Sequence, residues 1–184
     1  MSASTRKSRF IVRPALKRDI DACLELNHAL DTEYVWHMQR RESADSTSIS
    51  FQSVRLPRPI RVEYPRSTNE LRVDLANMEN ALVAEAEGVL LGYAQISIDD
   101  SDHSAWLRNI IVDEPWRRHR IGGALFDQAR RLAKVRGANH ITAETTTKSY
   151  PAIQFMLHRG LLFCGFNDRY YASQDIAVFF GQNL

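Results

Sequence analysis

The segment Ile110-Ile-Val-Asp-Glu-Pro-Trp-Arg-Arg-His-Arg-Ile-Gly-Gly-Ala-Leu125 constrains the fold more than any other part of the chain. An apolar, β-branched run reads as a strand, and Asp113-Glu114-Pro115 stops it. A basic loop then opens a helix whose apolar face is Ile121, Leu125, Ala129 and Leu132, with Gly137 as its stop. A strand that hands over directly to an amphipathic helix belongs to an α/β layer, because the helix must bury its stripe on a sheet. The first amides of a helix have no internal partners, and the dipole there favours an anion. Gly122 and Gly123, set between Ile121 and Ala124 in the first turn, let the backbone approach a bulky pyrophosphate. Arg117, Arg118, His119 and Arg120 add charge-assisted hydrogen bonds for phosphates. The bland alternative is a solvated basic turn ahead of a surface helix.

The remaining elements order themselves around this unit. Phe10 to Pro14 reads as a short strand, followed from Asp19, a candidate cap, by a helix in which Ile20, Cys23, Leu24 and Leu30 recur. Ala81 to Glu85 and Leu90 to Ile98 form a hairpin turned at Glu87-Gly88, and Trp106 to Val112 is the strand that enters the basic loop. His140 to Thr146 is a strand, Tyr150 to Arg159 a helix stopped at Gly160, and Leu161 to Gly165 and Ile176 to Phe180 are the closing strands. The result is an α/β sandwich with a mixed sheet. Residues 31–80 are obscure: a Ser/Thr-rich stretch, a proline-punctuated segment from Pro57 to Pro65, and a helix near Asn69 to Asn80. That span is too short for another domain, and an acceptor-binding insertion is the preferred reading.

Composition removes several function classes. With 184 residues, 44% hydrophobic and 25% charged, the chain fits one soluble domain. A net charge of +2 argues against nucleic acid, and no aromatic residues interleave the arginines in a reading pattern. No window is long and apolar enough to span a membrane. Cys23 and Cys164 form no ligand spacing and read as buried thiols in a reduced compartment, hence a cytoplasmic protein. The histidines show no metal-ligand spacing, so no metal is expected. Residues 1–8 read as a flexible N-terminal tail and 9–184 as one domain.

The loop-to-helix segment resembles the acetyl-CoA motif of the GNAT superfamily of N-acetyltransferases, usually Arg/Gln-x-x-Gly-x-Gly/Ala. Arg117, Gly122 and the Val112/Pro115 frame match, while Arg120 stands in the place of the first glycine. Ile11-Val-Arg-Pro-Ala15 with Asp19 resembles the family's first strand and helix, and Ala177-Val-Phe-Phe180 is similar to the last strand of streptothricin acetyltransferases. The resemblance implies a GNAT-type mixed sheet with helices on both faces and splayed central strands. It also implies acetyl-CoA as co-substrate, with its pantetheine arm pairing to backbone at Ile110, Ile111 and Val112. The acceptor would be a small amine, an antibiotic or a protein amine, and the alternative is a non-catalytic acyl-CoA-binding module. Whether the chain is a homodimer stays open.

Glu144 matches the glutamate base of ribosomal-protein alanine acetyltransferases. Its bland reading is a strand glutamate facing solvent or pairing with an arginine. Counting onward, the family's usual asparagine and tyrosine fall on Ser149, which can cap the following helix, and Met156, which cannot donate a proton. Tyr150 is the first choice as substitute acid, ahead of His158, Tyr170 and Tyr171. Tyr34, Trp36, His37 and Tyr64 lie where the family builds its acceptor wall, although core aromatics are the blander reading.

Overall fold

A computed structural model describes residues 10–76 and 78–184; the expected tail at residues 1–8 lies outside the described residues. In chain order the elements are β1 (Ile11–Pro14), α1 (Ile20–Glu25), β2 (Leu30–Glu42), β3 (Thr47–Val62), α2 (Thr68–Ala76), β4 (Ala81–Ala86), β5 (Val89–Asp99), β6 (Ser104–Val112), α3 (Ile121–Val135), β7 (His140–Thr146), α4 (Tyr150–His158), β8 (Leu162–Asn167) and β9 (Ala177–Asn183). The architecture is α/β with mostly antiparallel pairing. The described residues form two compact units: those up to His28 with Arg66–Ile141 and Leu184, and Ala29–Pro65 with Thr142–Asn183.

In the first unit the strand order is β1-β4-β5-β6. The β4–β5 turn falls at Glu87 and Gly88, both with positive φ (52° and 79°). That matches the type I′ geometry favoured by the right-handed twist of a hairpin. Gly92 on β5 is required by a close approach: a Cβ there would sit 2.5 Å from the Ile111 carbonyl oxygen of β6. Helix α3 packs on β4, β5 and β6 through buried Ile121, Leu125, Phe126, Ala129 and Ala133. Burying one side chain the size of Leu125 or Phe126 contributes about 1.5–3 kcal/mol. Leu132, expected on this face, is only half-buried, and Phe126 and Ala133 complete the stripe. The helix stops where Gly137 adopts φ 90°.

Two expectations near the start need correction. Helix α1 ends at Glu25, and Leu30 opens a strand. Asp19 precedes α1, but its side chain does not cap it. Its Oδ2 instead accepts from the Leu16 amide (2.7 Å) and from Arg13 (2.7 Å). Arg13 also bonds Glu85 on β4 (2.8 Å through Nε). The guanidinium beside Asp19 holds that carboxyl below the usual range, with the Leu16 hydrogen bond acting in the same direction.

The second unit contains what sequence left obscure. β2 and β3 pair as a long antiparallel ribbon, with Thr32 opposite Ile60 and Tyr34 opposite Arg55. Residues 56–59 therefore bulge outward across from Glu33, and Pro57 and Pro59 sit where no ladder amide is needed. β9 lies between β7 and β8. Aromatic rings join ribbon and strands: Trp36 lies 5.7 Å from Phe180 and 5.9 Å from Phe163, and Phe51 lies 5.4 Å from Phe163 and 5.6 Å from Phe166. Such pairs contribute about 0.5–1.5 kcal/mol each beyond the area they bury. Cys23 is buried as expected, and burial pushes its thiol up to about 12. Cys164 is exposed, contrary to expectation, because β8 is the outer strand of its group.

Candidate functional site

The basic loop has a defined backbone shape. After a 3-10 turn at Glu114–Trp116, Arg117 is extended (φ −63°, ψ 153°). Arg118 (φ 67°) and Arg120 (φ 66°) are left-handed, and His119 between them is not. Alternating hand along a loop turns successive N–H groups inward as a nest for anions. Arg120 is also the N-cap of α3, and no side chain caps that helix. Glycine would adopt this left-handed conformation without strain, whereas arginine accepts it at a cost of roughly 1–2 kcal/mol. The departure from the family's glycine therefore leaves the backbone in a glycine-like shape.

The arginines divide into two roles. Arg117 is half-buried: its Nε donates to the Val112 carbonyl (3.0 Å) and its Nη2 to the Asn27 carbonyl (2.6 Å). Its charge braces the loop from behind. Arg118 and Arg120 are exposed, and their side chains make no hydrogen bond or ion pair among the described residues. His119 places Nδ1 2.8 Å from the Arg117 carbonyl and its ring centroid 6.1 Å from Trp116.

Sequence reasoning missed two residues beside this loop. The Asn27 amide donates to Asp113 Oδ1 (3.0 Å), and its Nδ2 donates to Glu114 Oε2. His28 places Nδ1 2.7 Å from the Leu26 carbonyl and Nε2 3.0 Å from the hydroxyl of buried Tyr93. Burial, and next the nearby Arg117 charge, lower the pKa of His28 against an opposing hydrogen bond to Leu26. Neither residue carries a local sequence signal, since both follow a six-residue helix and gain their meaning only from residues about 65 to 90 positions away.

The strand entering the loop is bulged. Gln95 pairs with Asn109 and Ile96 with Leu107, leaving Arg108 as the extra residue of β6. Arg66 donates to the Arg108 carbonyl (2.6 Å) and to Asn109 Oδ1 (3.1 Å), and buried Asn109 donates to Gln95 (2.9 Å). Beyond the bulge, Ile110, Ile111 and Val112 pair with Ala94, Tyr93 and Gly92.

Glu144, Ser149 and Tyr150 belong to the second unit. Glu144 is half-buried on β7, between buried Ala143 and Thr145. Ser149 stands at the N-cap position of α4, but its hydroxyl does not cap the helix. It lies 3.2 Å from Thr146 Oγ1 instead, the second correction to an expected cap. Pro151 in the first turn has no amide to satisfy, which lessens the need for that cap. Tyr150 opens α4 with its ring centroid 5.3 Å from that of Tyr34 on β2. Trp36 donates its amide to the Thr147 carbonyl (2.9 Å). Met156 is buried at 4% exposure. His158 bonds the Gln154 carbonyl on the exposed side of α4, and the rings of Tyr170 and Tyr171 meet at 5.0 Å.

Among the described residues there is no group of His, Cys, Asp and Glu able to hold a metal. No helix among them is long and apolar enough to cross a membrane.

Residues 47–161 match the sequence model of the Acetyltransferase (GNAT) family, more than half of the chain. This chain belongs to the GNAT acetyltransferase family. Members transfer acetyl groups from acetyl-CoA to amines, so the chain is an acetyl-CoA-dependent N-acetyltransferase by class. Solved structures share the fold of this GNAT acetyltransferase. Nourseothricin acetyltransferase superposes with a TM-score of 0.80 at 22% identity, covering 95% of this chain and 98% of that one. A putative streptothricin acetyltransferase from Bacillus anthracis str. Ames, in complex with acetyl coenzyme A, gives 0.74 at 18%, covering 97% and 99%. Ribosomal-protein-alanine N-acetyltransferase from Brucella melitensis gives 0.64 at 18%, covering 95% and 99%. A search of curated protein sequences finds no match.

Proposed function

We propose that the chain moves the acetyl group of acetyl-CoA to a primary amine by direct attack in a ternary complex. The acceptor is a small amine or antibiotic, or a protein amine. The reading rests on one observation: the nest at Arg118–Arg120 joins an uncapped helix start and two exposed guanidinium groups on a single loop. That donor set fits a pyrophosphate, with backbone N–H groups of residues 118–123 as its bed and Arg118 and Arg120 as its counter-charges, while the Ala124 N–H is already given to the Arg120 carbonyl (3.1 Å). Arg117 shapes the loop, and the backbone of Ile110, Ile111 and Val112 offers hydrogen bonds to the amides of a pantetheine arm. The solved relative with acetyl coenzyme A supports the choice of co-substrate.

Bound acetyl-CoA supplies a thioester carbon open to an amine. The protein must deliver that amine uncharged. An alkylamine of pKa ~10.4 lies about 3.4 units from neutrality at pH 7, roughly 4.6 kcal/mol, whereas an α-amine near 8 costs about 1.4 kcal/mol. Glu144 is the proposed base, acting directly or through water. Met156, buried and without a proton to give, makes no acid. Expelling a thiolate of pKa about 8.5 costs only ~2 kcal/mol at pH 7, so an acid is dispensable, and Tyr150 is the candidate if one is used.

The test combines calorimetry with CoA and thiol release from acetyl-CoA over an amine panel that includes streptothricin-type antibiotics and peptide N-termini. The native protein is expected to bind CoA and turn over at least one amine. Gly122→Val, which places a branched side chain in the first turn of α3, is expected to lose CoA binding. Unchanged affinity in folded Gly122→Val protein overturns the site. Binding without turnover on every amine favours the non-catalytic module.

A further inference from the structure

The phosphate loop carries an internal conflict. Asp113 and Glu114 stand only a few residues ahead of Arg117, Arg118 and Arg120. Two carboxylates so close can pair with the same guanidinium groups that would meet a phosphate. Paired within the loop, those groups would be unavailable to an anion, and the two negative charges would repel it.

The structure shows how the conflict is resolved, and the residue responsible lies far away in sequence. Asn27 has two donors and one backbone acceptor directed at this loop. Its amide N–H donates to Asp113 Oδ1 (3.0 Å) and its side-chain Nδ2 to Glu114 Oε2. Its carbonyl accepts from Arg117 Nη2 at 2.6 Å. Each acid is thereby held by a neutral donor of Asn27, and the one arginine of the group that is half-buried is held by a neutral acceptor. Arg118 and Arg120 remain exposed, with side chains that pair with nothing among the described residues.

We propose that Asn27 is a positioning residue for the CoA site: it sorts the charges of the loop, occupying Asp113 and Glu114 so that Arg118 and Arg120 stay available to the pyrophosphate. The inference rests on the reading of this loop as the CoA site. It differs from a simple structural role because Asn27 contributes through which charges it separates, and that can be tested by removing the charge it restrains. Asn27→Ala keeps the two backbone hydrogen bonds and deletes the Nδ2 donor to Glu114. Glu114 is then free to turn onto Arg118. Replacing Glu114 by glutamine removes the competing charge altogether.

The experiment is a double-mutant cycle read by calorimetry with CoA at low and high salt, using the full chain. Circular dichroism and thermal unfolding establish that each variant is folded. Asn27→Ala is expected to raise the CoA dissociation constant on the order of 10-fold at low salt, the scale of one charged hydrogen bond. Glu114→Gln alone is expected to stay within about twofold of native, and Asn27→Ala combined with Glu114→Gln is expected to return to the same level. The loss in Asn27→Ala should shrink at high salt, where the exposed Glu114–Arg118 pair is screened. An unchanged dissociation constant in Asn27→Ala overturns the proposal. So does a double variant that keeps the full loss of the single one, since that is the signature of a merely structural defect. If the native chain itself fails to bind CoA, the functional reading falls and this inference with it. Native binding with an indifferent Asn27→Ala defeats this inference alone.

Discussion

Two strand-to-helix junctions, β6 to α3 and β7 to α4, use the same local architecture to opposite ends. The first is charged and open. Its loop holds two left-handed arginines, its helix begins uncapped, and the guanidinium groups of Arg118 and Arg120 face solvent. The second is closed, and its one charge, on exposed Lys148, is paired with Asp175 (2.5 Å). Thr145, Thr146, Thr147 and Ser149 are all buried, and the hydroxyls of Thr146 and Ser149 satisfy each other. Neither helix start has a side-chain cap, so what sets the first apart for an anion is its left-handed loop and its two exposed guanidinium groups. The contrast supports the proposed placing of the phosphate at the first junction. Beside the second stand a half-buried carboxylate, Glu144, and a tyrosine, Tyr150, the proposed base and candidate acid.

The sharpest way to break this division is Glu144→Gln. The expected outcome is a fall in kcat/KM on the order of 100-fold with a high-pKa acceptor, loss of the acidic limb of the pH profile, and an unchanged CoA dissociation constant. Full activity with an unaltered profile would remove Glu144 from the chemistry. The complementary variant, Arg118→Ala, should weaken CoA by about 1.5–3 kcal/mol by calorimetry and leave kcat at saturating acetyl-CoA nearly native. If Arg118→Ala lowered kcat while sparing CoA affinity, the two junctions would have exchanged roles. The smallest effect separates backbone from charge within the first junction. Arg120→Gly relieves the left-handed strain and should raise unfolding stability by about 1 kcal/mol or less in denaturant titration, with a modest loss of CoA affinity. A destabilised glycine variant would mean that the arginine side chain, not the loop shape, holds this turn.

Where sequence was informative, the signal was local. Gly137 and Gly160 stop their helices by adopting positive φ, and Glu87-Gly88 turns its hairpin through the same property. These depend on backbone preference alone and are legible one residue at a time. The β2–β3 ribbon was illegible because most of its residues are exposed and no two-residue alternation of apolar side chains survives. Pro57 and Pro59 argued against a strand, and only the four-residue bulge opposite Glu33 reconciles them with one. Asp19 and Ser149 occupied cap positions as read, but each found a better partner, Arg13 and Thr146. Cys164 reads as a buried thiol, yet strand order rather than local hydrophobicity decides exposure, and the order makes β8 outermost. At the candidate site, the loop and its glycines were visible in sequence. Asn27 was not, because nothing near it announces contacts about ninety residues away.

The division of the chain has a consequence for synthesis. Ala29–Pro65 emerges from the ribosome early, but the rest of its unit, Thr142–Asn183, comes last. At roughly 5–20 residues per second, Trp36 waits on the order of ten seconds for Phe163 and Phe180. During that interval the nascent ribbon carries Trp36 and Phe51 with no third ring to close on, while β4, β5, β6 and α3 have everything they need to assemble. The late arrival of Thr142–Asn183 therefore leaves the ribbon, rather than the loop at Arg117–Arg120, waiting longest for its packing partners during synthesis.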